Sequence, residues 1–106
     1  MTGEPALPPA PDRVFAALAD ARRRELLDVL AGSDGESAGG LAAVLRVSRQ
    51  AVAQHLAVLE EAGLVSRRRA GRRVLFSIRP DGLTATADWL TARAAHLADY
   101  GAKGAH

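Results

Sequence analysis

The amino-acid sequence predicts a mainly α domain carrying one small β-hairpin, with five helices and two strands in the order α-α-α-α-β-β-α. Three observations lead there. Apolar residues recur at helical spacing in blocks before Gly63, and two short runs rich in β-branched and aromatic residues flank Arg69-Ala70-Gly71-Arg72. A further helical stripe begins just past Pro80-Asp81-Gly82. At 106 residues there is room for one domain with one modest core. It is read as residues 12–100, preceded by a flexible segment over 1–11 and followed by a disordered tail over 101–106.

Met1 to Pro11 holds four prolines and a glycine without apolar periodicity, which makes it a lead-in. Asp12 suits a helix N-cap, and Val14, Phe15 and Leu18 follow at helical spacing. Asp20 reads as a second cap ahead of Leu26, Leu27, Val29 and Leu30, and Gly32-Ser33-Asp34-Gly35 ends that helix. A third, shorter helix starts near Ser37 with Leu41, Val44 and Leu45 on one face. Its start is weak, because Gly40 stands where a capping-box glutamate would bond back to Ser37.

Only Arg46-Val47 separates that helix from the next, which Ser48 caps. Two short helices so close must turn sharply against each other, the helix-turn-helix arrangement. In the fourth helix Val52, Leu56 and Leu59, with Ala51, His55 and Val58 beside them, face the third, and Gly63 supplies a left-handed end. Leu64-Val65 and Val74 to Ile78 are the two strands of a wing closed by Pro80-Asp81-Gly82. The last helix then sets Leu83, Ala87, Leu90, Ala94 and Leu97 at steps of four and three, a stripe that favours a partner helix but could also cover the domain's own core.

Charge is segregated along this frame. The chain's net +2 conceals eight arginines against Glu60 and Glu61 between Arg46 and Arg79, a local +6, while the remainder sums to −4. A basic face on an acidic body is the footprint of a polyanion-binding surface. The absence of cysteine excludes disulfides, thiolate metal sites and cysteine nucleophiles. With three histidines, no serine in a plausible triad and no phosphate-cradling glycine loop, no enzyme is expected. The longest apolar run, Val14 to Ala19, is far too short to span a bilayer, and a cytoplasmic, soluble protein is expected.

ALADARRRELLDVL (17–30), SRQAVAQHLAVLEEAGLVSRRRAGRRVLFSI (48–78) and TADWL (86–90) together resemble the ArsR/SmtB family of bacterial winged-helix repressors. The likeness spans roughly Val14 to Leu97. It implies a homodimer built on the first and last helices, recognition helices in successive major grooves of a palindromic operator, and an effector that releases DNA. The implied seam comprises Val14, Phe15, Leu18, Leu83, Ala87, Leu90, Ala94 and Leu97. Thiolate sensing is excluded, since Gly40 to Val44 stands where relatives carry a cysteine pair. On the last helix His96 and Asp99 have the spacing of half a zinc site, but Ala85 and Leu83 occupy the other positions. No metal and no cofactor is therefore expected, and the effector is unknown.

For double-stranded DNA, Arg49, Gln50 and Gln54 are the expected base readers: arginine can bond a guanine edge twice and glutamine an adenine edge twice, with Ala53 available to a thymine methyl. Ser48 and its neighbouring amides suit a phosphate. His55 is either a phosphate contact or a satisfied, partly buried histidine. Arg72 and Arg73 are placed at the wing tip for the minor groove, joined by Arg67 and Arg69 along the preceding strand. Arg22 to Arg24 open a helix whose dipole they oppose, which points to a surface or inter-helix pairing role before contact with the DNA backbone. The competing class is a winged helix that binds protein or RNA, because fold alone does not fix function.

Overall fold

The computed structural model describes residues 11–104, with side chains through Ala98. Seven elements follow in order: α1 (Pro11–Leu18), α2 (Ala21–Ala31), α3 (Ala38–Leu45), α4 (Arg49–Glu61), β1 (Val65–Ala70), β2 (Arg73–Ile78) and α5 (Pro80–Gly104).

Side-chain oxygens start three of the helices. Asp20 accepts from the Arg22 and Arg23 amides at 2.8 and 3.3 Å, Ser37 from Gly40 and Ser48 from Ala51, each at 3.0 Å. Each bond satisfies a first-turn donor that has no intrahelical partner. The weak start of α3 is repaired by Glu36 rather than by a residue inside the helix. Its Oε1 accepts the Ser37 amide at 2.9 Å and lies over Gly40, in space that a Cβ there would claim. At the far end of α4 the chain passes Ala62 and turns at Gly63, whose φ of 79° is open to glycine at little cost.

The core gathers apolar residues from the first four helices and the hairpin, with Leu83 of α5 packed against it. Val14, Leu26, Leu30, Leu41, Val52, Leu56, Leu59, Leu64 and Val65 are fully buried, and Phe76 joins them from β2. Truncating a central member such as Leu56 to alanine should cost roughly 2–5 kcal/mol. Val44, expected on the inner face of α3, is instead 59% exposed. Three residues after Leu41 its side chain swings past the edge of the buried stripe, and Ala42 takes the inward place.

β1 and β2 form a two-stranded antiparallel sheet in the register Val65↔Ile78, Arg67↔Phe76, Arg69↔Val74 and Ala70↔Arg73. Gly71-Arg72 is thus a two-residue loop, with Gly71 at φ 65°. Glu36 holds the outer edge of β2 through Glu36 N–H to Phe76 O at 3.0 Å and Phe76 N–H to Glu36 O at 2.8 Å. The Arg79 amide closes the hairpin base on Leu64 O at 2.8 Å.

Several boundaries differ from expectation: β1 leaves out Leu64 and runs on from Val65 to Ala70, because its arginines pair with β2 as far as Ala70↔Arg73. α1 begins at Pro11, one residue ahead of the Asp12 cap, and the Pro80-Asp81-Gly82 turn is the first turn of α5. In both places proline's fixed φ and missing N–H suit the start of a helix. α5 also runs on to Gly104, past the end expected at Tyr100. The rest of the expected lead-in and the last two residues lie outside the described residues.

Candidate nucleic-acid interface

The α3–α4 corner sets the reading helix. Arg46, left-handed at φ 57° and ψ 42°, donates its amide to Ala42 O and ends α3, and two residues later Ser48 caps α4. Because Val52, Leu56 and Leu59 are buried, the helical period turns Gln50, Ala53 and Gln54 to solvent, while Arg49, nearer the buried side, is exposed because it stands in the first turn, as Ser48 is at the cap. The Arg49 guanidinium rests over Gly39 of α3, 3.9 Å from the position a Cβ would take there. The expected base readers therefore form one uncovered strip at the start of α4.

His55 lies on the flank of that strip, half-buried. Its Nδ1 is 3.4 Å from Nη1 of Arg23, which sets the ring beside that guanidinium. The same arginine donates to Ala17 O at 2.6 Å and Ala16 O at 3.3 Å, and Arg24 donates to Leu18 O at 2.7 Å. Arg23 and Arg24 thus satisfy the last carbonyls of α1, while Arg22 pairs with Glu25 at 3.0 Å. Burial tends to raise the Asp20 carboxyl pKa, but the Arg23 and Arg22 amides, then the charges of Arg23 and His55, outweigh it and hold the group below its ordinary value.

The wing arginines divide into held and free. Arg67 is held: its Nε and Nη2 meet the two Glu60 carboxylate oxygens at 2.9 and 2.7 Å, and its guanidinium lies 5.2 Å from the Phe76 ring centroid. The hydrogen bonds that Glu60 accepts, with its charge, raise the Arg67 pKa further. Arg73 is 3.6 Å from the Glu36 carboxylate. Arg69 and Arg72 are exposed and have no ion-pair partner among the described residues. Neither Glu36 nor Glu60 was foreseen as a partner, because each meets its arginine through the packing of the wing. The Arg22 to Arg24 contacts did carry a sequence signal, since basic residues opposing their own helix dipole need another partner.

A model of a helix-turn-helix domain matches residues 18–68. The chain is 47% identical over 76 residues to the HTH-type transcriptional regulator Rv2034 of Mycobacterium tuberculosis, covering 72% of this chain and 70% of that protein. Its fold superposes on an ArsR-like transcriptional regulator from Rhodococcus sp. RHA1 with a TM-score of 0.81 and 38% identity, covering 88% and 87% of the two chains. The chain belongs to the ArsR family. Its members are DNA-binding transcriptional regulators of the winged helix-turn-helix kind, and the α4 strip lies within the matched residues 18–68. Also similar are the transcriptional repressor SdpR of Bacillus subtilis, 32% identical over 74% of this chain and 87% of that one, and the homodimeric winged helix-turn-helix domain of Mb0332 from Mycobacterium bovis. The latter is 30% identical with a TM-score of 0.65, covering 81% of this chain and 80% of that one.

In this ArsR-family chain the expected seam residues separate into two layers. Val14 is fully buried within the protomer and is not at its surface, and Leu18 and Leu83 are half-buried against the core. Phe15, Ala87, Leu90, Ala94 and Leu97 are exposed, with Leu90 at 49% and Leu97 at 66%. Phe15 packs edge-to-face on Trp89 with ring centroids 5.8 Å apart, joining α1 to α5. His96 is exposed, and the Asp99 side chain lies outside the described residues. Among the described residues no helix is long and apolar enough to cross a membrane.

Proposed function

We propose that this chain is the protomer of a homodimeric repressor that binds a palindromic operator. The carrying observation is the uncovered strip of Arg49, Gln50, Ala53 and Gln54 above a fully buried Val52-Leu56-Leu59 stripe. Such a helix presents hydrogen-bonding side chains on a rigid base. In the major groove Arg49 addresses a guanine edge and Gln50 and Gln54 adenine edges, each paired contact contributing roughly 1–3 kcal/mol of discrimination. Ser48 and the first amides of α4 hold a phosphate. Arg69 and Arg72, without an ion-pair partner among the described residues, enter or straddle the minor groove, and Arg73 joins them when a phosphate displaces Glu36.

The outer surface of α1 and α5 supports the two-fold. Phe15, Leu90 and Leu97 are large apolar side chains left in water, on the helices the family resemblance assigns to the seam, and the similar domain from Mycobacterium bovis is described as homodimeric. A two-fold dimer repeats α4 and reads a two-fold sequence. Repression fits the similar protein named as a transcriptional repressor, acting by occupying the operator.

The test is to incubate purified protein with genomic fragments, sequence those retained, and repeat the gel shift with excess RNA. A shared inverted repeat whose complex survives RNA supports the reading. Retention without sequence preference, or loss of the complex to RNA, would favour a general nucleic-acid-binding or interaction module.

A further inference from the structure

Arg46 is the one described non-glycine residue with a positive φ. The corner between α3 and α4 requires that conformation. It lets the Arg46 amide cap Ala42 O, and the Val47 amide also reaches Ala42 O, at 3.2 Å. A residue with a Cβ is strained there, whereas glycine is not. The chain uses glycine wherever else a described residue has positive φ, at Gly35, Gly63 and Gly71. An arginine at this corner therefore costs stability that glycine would not.

Nothing within the fold compensates. Arg46 is exposed and makes no side-chain hydrogen bond or ion pair among the described residues. By contrast, Arg22, Arg23, Arg67 and Arg73 each meet a carboxylate, and Arg24 a backbone carbonyl. The position is also particular: two residues before Ser48 and three before Arg49, at the entry to the exposed strip. A cation there adds to the basic side of the molecule next to the side chains that read bases.

We propose that Arg46 is a further DNA-contacting residue, one that binds a backbone phosphate beside the start of α4 and so fixes the depth and register of that helix in the groove. The inference rests on the operator-binding reading above. Phosphate contacts of this kind position a protein and carry little sequence information, so Arg46 strengthens binding to every duplex. Backbone strain at a functional position is retained for what the side chain does.

The test compares the wild-type protein with Arg46→Gly, which removes both strain and charge, and Arg46→Lys, which keeps both. Thermal melting reads stability, and titration of a short fluorescent random-sequence duplex over a series of salt concentrations reads the contact. Arg46→Gly is expected to melt at or above the wild-type midpoint yet bind about fivefold more weakly near physiological salt, its salt slope lower by about one unit per protomer. Arg46→Lys is expected to keep the wild-type slope. An Arg46→Gly protein with the wild-type slope, or one that loses stability and affinity together, would overturn the proposal. Failure of the wild type itself to bind the duplex would instead strike the operator reading, and is distinguishable for that reason.

Discussion

Arg67 and Glu60 meet in a two-point contact, with Nε and Nη2 of the arginine at 2.9 and 2.7 Å from the two carboxylate oxygens. The base of the wing is thereby pinned to the last turn of the reading helix, and one of the basic charges expected to face DNA is already compensated. Because the arginine is about half exposed, the pair adds little stability.

Glu60→Gln should therefore cost less than about 1 kcal/mol in a denaturant titration. Its effect on DNA should be larger: a released Arg67 strengthens binding to random duplex and steepens the salt slope by up to about one unit per protomer. An unchanged slope would mean that Arg67 stays clear of the phosphates even when free.

Arg72 and Gln50 should be separable. Arg72→Ala is expected to weaken binding to all duplexes alike and to flatten the salt slope by about one unit per protomer, whereas Gln50→Ala should cost roughly 1–3 kcal/mol, mainly on the cognate site. Paired titrations on retained and scrambled fragments read the difference. Equal losses on both fragments for both variants would contradict the assigned roles.

Leu90→Glu places a charge on the exposed apolar face of α5 without entering the core, since Leu90 is already 49% exposed in the protomer. Sedimentation should show a monomer with an intact circular dichroism spectrum, and operator affinity should collapse as the second reading helix is lost. A variant that stays dimeric would move the seam elsewhere.

Asp20 gives the α1–α2 corner a defined acid sensitivity. Its pKa in the folded state lies below the ordinary 3.8, so folding favours the ionised form. The resulting stability is fully present above pH 3.8 and is lost as pH falls through the lower folded value. Asp20→Asn keeps an acceptor for the α2 amides but does not titrate, so its acid melting curve should be flatter over that window. Parallel curves for the two proteins would show that the cap does not depend on charge.

Much of the architecture was legible in the sequence because its signals are local. Asp20, Ser37 and Ser48 cap helices by reaching two or three residues along the chain, and Gly63 and Gly71 declare turns through their own backbones. Much of the exposed strip was legible too, since burying Val52, Leu56 and Leu59 turns Gln50, Ala53 and Gln54 outward, whereas Arg49 owes its exposure to its place in the first turn. What escaped depends on packing between elements. Arg67 was grouped with Arg69 by strand alternation, and the register does place both on one face, but only Arg67 lies within reach of Glu60. Val14 was grouped with Phe15 on the seam. Successive helical residues diverge by about 100°, and α5 covers only part of α1, so one is fully buried and its neighbour 39% exposed.

The edge-to-face contact of Phe15 with Trp89 supplies a built-in optical probe. Trp89 is the chain's single tryptophan, 37% exposed, with the Arg93 guanidinium 4.6 Å from its ring centroid. Its emission is therefore a signal from one place alone, on α5 beside the apolar surface that a second copy would cover. If that surface is the seam, diluting the protein through its dissociation range should red-shift the spectrum as water reaches the indole, with no label attached. Phe15→Leu should change the starting spectrum while leaving the concentration dependence readable.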